Sequence, residues 1–201
     1  MTHPRALALD SAAQDLLFRQ ARTANRFTDE PVTDAQVQAI HDLVQWAPTS
    51  MNMQPMRLVL VRSDEARERL LKHMSDGNRD KTAAAPLVAV VAADVDFHDE
   101  LPRVFPHLPQ AKDLFLDEER RGEVATFNAA LQLGYLILGI RAAGLAAGPM
   151  TGFDADGLGE EFFPDGRHRV IAVVNIGRPA PEGAWFERLP RLPYDEVVAA
   201  A

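Results

Sequence analysis

Several positively charged side chains in this sequence have the chemistry to bind an anion. Arg22 and Arg26 stand four residues apart, and Lys81 and Arg191 lie much further along the chain. A guanidinium group matches the oxygens of a phosphate in a forked geometry. The same spacing of two arginines is also typical of a solvated helix face. These cations therefore indicate either an anion clamp or an ordinary surface.

A segment between two prolines concentrates hydroxyl and amide groups. It runs from Pro48 to Pro55 and contains Thr49, Ser50 and Asn52. These residue types are common in loops because they form turns. Methionines in the same segment, however, favour apolar partners, which a fully solvated loop does not offer. The segment is therefore predicted to be a loop close to a ligand.

Two further segments offer contacts of other kinds. Asn78 and Lys81 are three residues apart and are expected on one face of a helical turn, either as ligand-binding groups or as a surface pair. The run 148–152 reads Gly-Pro-Met-Thr-Gly. It predicts either a simple turn or a stretch of main chain that approaches a flat ligand closely.

The side chains supply no obvious catalytic machinery. The chain has no cysteine, no glycine-rich turn after a strand, no serine in a nucleophile elbow and no paired histidines of the zinc-protease type. Asp94, Asp96 and His98 resemble part of a metal site, but no second histidine lies at ligand spacing, so solvated loop chemistry is the better interpretation. A cofactor other than a metal is therefore expected to carry the chemistry.

Composition limits the kind of protein this can be. The 201 residues suit one domain, residues 1–201, with 47% apolar and 25% charged residues. A net charge of -8 disfavours nucleic acid, whose phosphates need a basic surface. The first nine residues lack the apolar segment of a secretory signal, and the absence of cysteine is typical of intracellular proteins. A cytoplasmic protein that does not bind nucleic acid is predicted.

The apolar pattern predicts the elements that position these groups. Strands are expected at 58–61, 87–92 and 170–176, with a helix between the first two. Residues 124–143 are apolar almost all round, which indicates a helix buried in a core or a subunit interface. The most apolar part of this stretch, 124–140, is interrupted by polar residues and falls short of the roughly 20 residues that span a bilayer, so no membrane anchor is expected. Residues 94–110 contain three prolines and predict a long, rigid loop of the kind used as a lid or a binding loop.

The candidate groups fall into three chemical classes that one cofactor, flavin mononucleotide (FMN), would need together. Cations suit its phosphate, amides and hydroxyls suit its ribityl chain and ring edges, and flat apolar contacts suit its ring face. The flat contacts are Pro48, Pro149 and Met150.

The order of five sequence blocks resembles the nitroreductase family of flavoproteins. The blocks are Arg-Thr-Ala-Asn-Arg-Phe (22–27), Ala-Pro-Thr-Ser-Met-Asn-Met-Gln-Pro (47–55), Asn-Arg-Asp-Lys-Thr (78–82), Gly-Pro-Met-Thr-Gly-Phe-Asp (148–154) and Arg-Leu-Pro-Arg-Leu-Pro (188–193). Within the family, the sequence is most similar to the malonic semialdehyde reductases of pyrimidine degradation. The resemblance implies an α+β fold, with a mostly antiparallel sheet wrapped by helices around a long buried central helix. It also implies an intertwined homodimer with two FMN sites at the interface.

The resemblance assigns an expected role to each matching residue. Those implied to bind FMN within one subunit are Arg22, Thr23, Ala24, Arg26, Asn78, Lys81, Pro149, Met150, Thr151, Gly152 and Arg191. Those implied to reach the FMN of the neighbouring subunit are Pro48, Thr49, Ser50 and Asn52. No side chain is implied as catalytic, because the flavin carries the chemistry and the main chain of Thr151 and Gly152 lies near its reactive nitrogen. Ala24 stands where the family commonly has serine, and Thr151 where many members have glutamate, so only the main chain of Thr151 carries over.

The implied activity is a two-step hydride transfer. NADH or NADPH delivers hydride to FMN and leaves, and an acceptor then takes its place. In the most similar group the acceptor is malonic semialdehyde and the product 3-hydroxypropanoate, and Arg103 is a candidate to pair with the substrate carboxylate. A broad nitroaromatic or quinone reductase and a non-catalytic FMN-binding protein remain open as alternatives. The sequence shows no pocket for a 2′-phosphate, so it does not distinguish NADH from NADPH.

Overall fold

The computed structural model describes residues 7–201. Within them the helices are α1 (Ser11–Gln14), α2 (Asp34–Val44), α3 (Asp64–His73), α4 (Asp76–Ala83), α5 (Leu101–Val104), α6 (Glu118–Ala142), α7 (Ala155–Phe162) and α8 (Tyr194–Val197). The strands are β1 (Met56–Val61), β2 (Leu87–Asp94), β3 (Ala146–Met150) and β4 (His168–Gly177). A single π-helical turn, Asp15–Arg19, continues α1.

The four strands form one antiparallel sheet in the order β1-β2-β4-β3. The three predicted strands are confirmed, each slightly longer than its apolar run. Every residue of β2 is buried, because helices cover both faces of the sheet. The antiparallel sheet with helices around it confirms the predicted α+β class.

The two faces of the sheet carry separate cores. On one face Ala89 and Val91 of β2 pack with Ile40 of α2 and Leu136 and Ile140 of α6. On the other, Val88 and Val90 pack with Leu70 of α3 and Leu158 of α7. The alternation along β2 thus sends successive side chains into opposite cores, which explains why its sequence is continuously apolar.

The third strand was not among the strands predicted. The run Gly148-Pro149-Met150, expected as a turn or a close approach to a ligand, is the end of β3. β3 lies at the edge of the sheet and pairs with β4 alone. An edge strand tolerates proline because one row of its N–H groups needs no partner in the sheet. The absence of alternating bulky residues in Ala-Ala-Gly-Pro-Met had concealed the strand.

The predicted apolar helix is α6, which begins six residues earlier than expected. The Asp117 carboxylate accepts from the Arg120 N–H at its start, and Gly144, with a φ of 73°, follows its end. With 25 residues, α6 meets the length and composition of a membrane span, so the argument from shortness was wrong. Only 39% of its most apolar 18-residue window is buried. Phe127, Leu131 and Tyr135 form an exposed apolar row along the helix.

The excursion between β2 and α6 packs as a small core of its own. Phe97, Leu101 and Ala111 in it are fully buried against Ala125 and Ala129 of α6. Asp94, which the sequence placed at the start of the loop, is the last residue of β2. Short 3₁₀ turns at Phe97–Glu100 and Pro109–Phe115 flank α5. The excursion is therefore anchored along its length, in contrast to a lid that swings freely.

Candidate functional site

The segment that carries Arg22 and Arg26 is held against the edge strand β3. The N–H of Ala24 donates to the carbonyl of Ala147 at 3.2 Å, and Ala24 is 1% exposed. A Cβ added to Gly148 would lie 2.7 Å from the carbonyl oxygen of Ala24. Only glycine at 148 therefore allows the two main chains to approach this closely.

The segment forms one wall of a cleft of about 330 Å³, which we call the arginine cleft. Its lining residues are Ala21, Arg22, Thr23, Asn25, Arg141, Phe186, Glu187, Arg188, Leu189 and Arg191. Arg22 and Arg191, far apart in sequence, come together as the sequence predicted. Arg26 does not line the cleft, and its guanidinium lies beside Gly183.

The sequence did not single out the other two arginines of the cleft. Arg141 comes from the last turn of α6, and Arg188 from the extended tail. Arg188 donates to the carbonyls of Arg19 at 2.8 Å and Ala21 at 3.2 Å, which ties the tail to the N-terminal segment. Within residues 7–201 none of the four arginines forms an ion pair. Four unpaired guanidinium groups around one cleft, in a chain of net charge -8, indicate a site for an anion.

At the other end of β3, the main chain meets the start of α4. The carbonyl of Gly152 accepts from the Ser75 hydroxyl at 2.7 Å and from Asn78 Nδ2 at 3.0 Å. A Cβ at Gly152 would lie 2.5 Å from that Nδ2, so a larger residue here would displace the Asn78 amide. The structure thus brings together Asn78 and Gly152, two of the residues singled out in sequence, and adds Ser75, which no sequence pattern marked.

The amide groups that follow β3 are free to donate. Within residues 7–201 neither the N–H of Thr151 nor that of Gly152 makes a hydrogen bond, while the Gly152 carbonyl is occupied. Exposed Thr151 and half-buried Gly152 therefore offer main-chain donors to a ligand that lies along this end of the strand. This arrangement suits the predicted main-chain role of both residues.

Lys81 is positioned through its main chain. Its carbonyl accepts from Nδ2 of the fully buried Asn175 of β4 at 3.2 Å. Next to it, the hydroxyl of Thr82 lies 3.8 Å from the sulfur of Met150. These contacts fix α4, and with it Asn78 and Lys81, against β3 and β4. No sequence pattern marked Asn175, because a single amide in an apolar strand has no periodic signal.

The predicted proline-flanked segment, Pro48 to Pro55, leads directly into Met56, the first residue of β1. We call residues 48–56 together the loop 48–56, and intrachain hydrogen bonds hold it in place. The Ser50 N–H donates to Asn128 Oδ1 at 2.8 Å, and the Met56 N–H to Gln132 Oε1 at 2.9 Å. Asn128 and Gln132 are buried amides one turn apart on α6. In the sequence they stand out only as interruptions of an apolar helix, although residues at i and i+4 lie on the same helix face.

Within the loop the predicted ligand-binding residues differ in their freedom. Asn52 Nδ2 donates to the carbonyl of Val104 at 2.9 Å, and its Oδ1 accepts from Gln54 Nε2 at 3.0 Å. Thr49 Oγ1 accepts from the Gln54 N–H at 3.2 Å, and its own hydroxyl proton has no acceptor within residues 7–201. Exposed Pro48 and Ser50 complete the set. Within residues 7–201 no hydrogen bond joins this loop to β3, and none of its residues lines the arginine cleft.

The loop also adopts an unusual backbone. Met51, Asn52 and Gln54 have φ values of 50°, 52° and 45°, in the left-handed region that favours glycine. Such conformations cost of order 1–3 kcal/mol each and persist where the surroundings fix them. The bonds from α6 and from Val104 provide that constraint.

Asp94, Asp96 and Arg103, which the sequence also singled out, form ion pairs at the start of the excursion. Asp94 binds Arg57 at 2.8 Å, and Asp96 binds Arg121 at 2.9 Å. No cluster of residues suited to a metal ion occurs in the part of the chain that the structure describes. Arg103 is exposed and pairs with Glu100 at 2.7 Å, and this hydrogen bond lowers the pKa of the Glu100 carboxyl.

Comparison with known proteins finds relatives that match almost the whole chain. A relative from Streptomyces coelicolor, named "Putative NADH dehydrogenase/NAD(P)H nitroreductase", is 64% identical over 194 residues, which is 96% of this chain and 98% of the relative. A relative of the same name from Stenotrophomonas maltophilia is 47% identical over 96% of the chain and 98% of its own length.

Solved structures share the fold at low identity. A "putative nitroreductase" from Bacillus subtilis superposes with a TM-score of 0.83 at 23% identity, over 96% of this chain and 100% of that one. A "putative nitroreductase in complex with FMN" from Exiguobacterium sibiricum gives 0.81 at 18% identity, over 96% and 98% of the two chains. The sequence from residue 18 to residue 178 matches the family described as the nitroreductase family. The chain belongs to the nitroreductase family.

Proposed function

We propose that this chain is an FMN-dependent NAD(P)H oxidoreductase. The observation that carries the proposal is the arginine cleft at one end of β3, with free main-chain donors at the other end. A ligand along this strand would meet cations first and amide donors last, which is the order of a phosphate, a ribityl chain and a flavin ring. The names of the curated relatives and the FMN bound by the structural neighbour support this choice of ligand.

The residues present fit FMN. Arg22 and Arg191, with the main chain around Thr23 and Ala24, would hold the phosphate, and Arg26 would assist from outside the cleft. Asn78 and Lys81 would donate to the ribityl chain and the ring edge. Bound FMN supplies the redox chemistry, because it accepts hydride from NADH or NADPH and passes it to an acceptor.

The part of the site near the ring is built from main chain. Pro149 and Met150 would lie along the ring, and the N–H groups of Thr151 and Gly152 would donate to it. The Gly152 carbonyl, bound by Ser75 and Asn78, fixes the orientation of the peptide that carries these donors. The chain itself therefore binds and orients, and we assign no side chain as a general acid or base.

The site would be completed by a second copy of the chain. The exposed row of Phe127, Leu131 and Tyr135 on α6 and the exposed apolar residues of the tail, including Phe186 and Leu189, form surface that water does not favour. A homodimer would cover them. Pro48, Thr49, Ser50 and Asn52 would then reach the FMN held mainly by the other subunit, as the resemblance implied.

For the acceptor we propose malonic semialdehyde, reduced to 3-hydroxypropanoate by one hydride and one proton. The exposed guanidinium of Arg103 is the candidate partner for its carboxylate. A broad nitroaromatic or quinone reductase is the second candidate, which the names of the relatives favour. We further propose a cytoplasmic protein of one domain, without nucleic acid as a partner.

Anaerobic reduction of the purified protein tests the activity. We expect a yellow protein whose flavin absorbance is bleached by NADH or NADPH and restored by an acceptor. A yellow protein that neither cofactor bleaches would be a flavin-binding protein without this activity, and a colourless protein that takes up no FMN would overturn the proposal. Reoxidation by malonic semialdehyde, nitroaromatics and quinones separates the acceptors. Turnover of malonic semialdehyde by Arg103→Ala equal to that of the parent would remove Arg103 from substrate binding.

A further inference from the structure

Arg141, in the last turn of α6, is the one arginine lining the cleft that belongs to a helix. Arg22, Arg188 and Arg191 come from extended segments, whereas Arg141 projects from a 25-residue helix packed against the sheet. Together with Arg22 it lines both the arginine cleft and an adjoining cleft of about 220 Å³. A rigid helix fixes the position of a binding group more accurately than a loop does.

The guanidinium of Arg141 is incompletely satisfied by the protein. Nη1 donates to the carbonyl of Leu17 at 3.2 Å, but the buried Nε has no hydrogen-bond partner within residues 7–201. Burial lowers the pKa of Arg141, which means that its charged form is less well solvated here than in water. A partly buried cation without a counter-charge is less stable than one in water, and an anion in the cleft would offset that cost.

In the part of the chain that the structure describes, no carboxylate forms an ion pair with Arg141. Glu187 lines the cleft but forms no ion pair with the arginines, and Asp15, which lines the adjoining cleft, is bound by Arg19 at 2.7 Å. The missing counter-charge must therefore come from outside this chain or from a ligand. A phosphate monoester, with three acceptor oxygens and close to two negative charges, suits several guanidinium groups at once.

We propose that Arg141 is a phosphate-binding residue of the FMN site, anchored on α6 and acting with Arg22 and Arg191. This inference rests on the proposed function, because it assumes that the phosphate belongs to FMN. It also gives the tie between Arg141 and Leu17 a role, since that bond orients the guanidinium and holds the segment before Arg22 beside it.

Comparing FMN with riboflavin tests the assignment, because riboflavin has the same ring and ribityl chain but no phosphate. The full-length protein is freed of flavin and titrated with each compound, with flavin fluorescence as the readout. We expect Arg141→Gln to weaken FMN binding by about 10- to 100-fold, as for the loss of a charge-assisted hydrogen bond. Riboflavin affinity should change by less than about twofold. Arg141→Lys, which keeps the charge and loses the fork, should fall between the parent and the glutamine variant.

The controls separate this inference from the proposed function. Arg120→Gln, an exposed arginine at the other end of the same helix, should leave both affinities unchanged. An equal loss of FMN and riboflavin binding in both Arg141 variants would show a structural role and overturn the inference. Unchanged FMN affinity in both variants would overturn it as well. A parent protein that binds neither flavin would overturn the proposed function itself.

Discussion

The arginine cleft and the loop 48–56 hold their polar groups in opposite ways. In the cleft, Arg22 makes no hydrogen bond and Arg141 leaves Nε without a partner, within residues 7–201. In the loop, by contrast, the N–H groups of Ser50 and Met56 and both polar atoms of the Asn52 side chain have partners in the same chain. Within residues 7–201 the cleft has positive charges without ion-pair partners, and the loop has hydrogen-bond partners without charge.

Under the proposed function, the difference separates residues available to a ligand from residues whose hydrogen bonds shape the loop. Charged groups left unpaired in a folded protein cost free energy, so they mark the place where a ligand supplies the missing charge. In the loop, the intrachain hydrogen bonds fix the conformation of the loop itself. In loop 48–56 that shape includes three non-glycine residues with positive φ. Of its predicted ligand-binding residues, Thr49 keeps a free hydroxyl proton, whereas Asn52 is mostly committed to the loop.

The largest effect is expected where the N-terminal segment touches β3. In Gly148→Ala the new Cβ would meet the Ala24 carbonyl oxygen at 2.7 Å, and a main-chain atom cannot move aside as a side chain can. We expect a loss of about 2 kcal/mol in the free energy of unfolding. The segment carrying Arg22 should move away from β3, so FMN affinity should fall at least about tenfold. Urea unfolding and FMN titration measure the two effects.

A matched glycine on α7 serves as the control for that variant. Gly159 has only the His168 carbonyl oxygen near an added Cβ, at 3.9 Å, an ordinary contact. Gly159→Ala should therefore leave FMN binding unchanged and, as a helix-interior glycine replaced by alanine, stabilise the protein by up to about 1 kcal/mol. Equal behaviour of the two alanine variants would show that the close approach at Gly148 does not hold the cleft together.

A smaller effect is expected at the support of the loop. Gln132→Met keeps the size of a buried side chain but removes the oxygen that accepts from the Met56 N–H. The expected loss is about 1.5 kcal/mol of stability, the cost of a buried donor without a partner. Gln38→Met, on the exposed face of α2, should change stability by less than about 0.5 kcal/mol. If the two variants unfold at the same urea concentration, the Gln132 bond does not support the loop.

The sequence predicts the central strands better than it predicts which side chains the fold brings together. β2 and β4 are long apolar runs whose burial on both faces leaves a strong local signal. β3 has no such signal, because it is short, small and interrupted by Pro149. Residue type and the sequence blocks shared with the family drew attention to Arg22 and Arg191. Arg141 is a single cation at the end of an apolar helix, and no pattern marked it.

The missed residues share a physical reason. Ser75, Asn128 and Asn175 act by bonding main-chain groups that are distant in sequence, and only the fold determines which groups those are. A sequence shows that an amide is present but not which carbonyl or N–H it meets. Conversely, the acceptor of the Asn52 amide, the Val104 carbonyl, lies in an excursion for which the sequence predicted only a long, rigid loop.

The smallest effect is expected at Asn52, where two substitutions separate the side chain from the backbone. Asn52→Gly removes the bond to Val104 but accommodates a φ of 52°, so it should cost about 0.5 kcal/mol of stability. Asn52→Ala also strains the backbone and should cost about 1 kcal/mol. The Nδ2 group of Asn52 has a second N–H besides the one that donates to Val104. If this second N–H reaches FMN across the proposed dimer, both variants should lose FMN affinity equally, by a few fold. Unchanged affinity in both would assign Asn52 to the loop alone, and a loss in the alanine variant only would assign FMN retention to the loop's backbone shape.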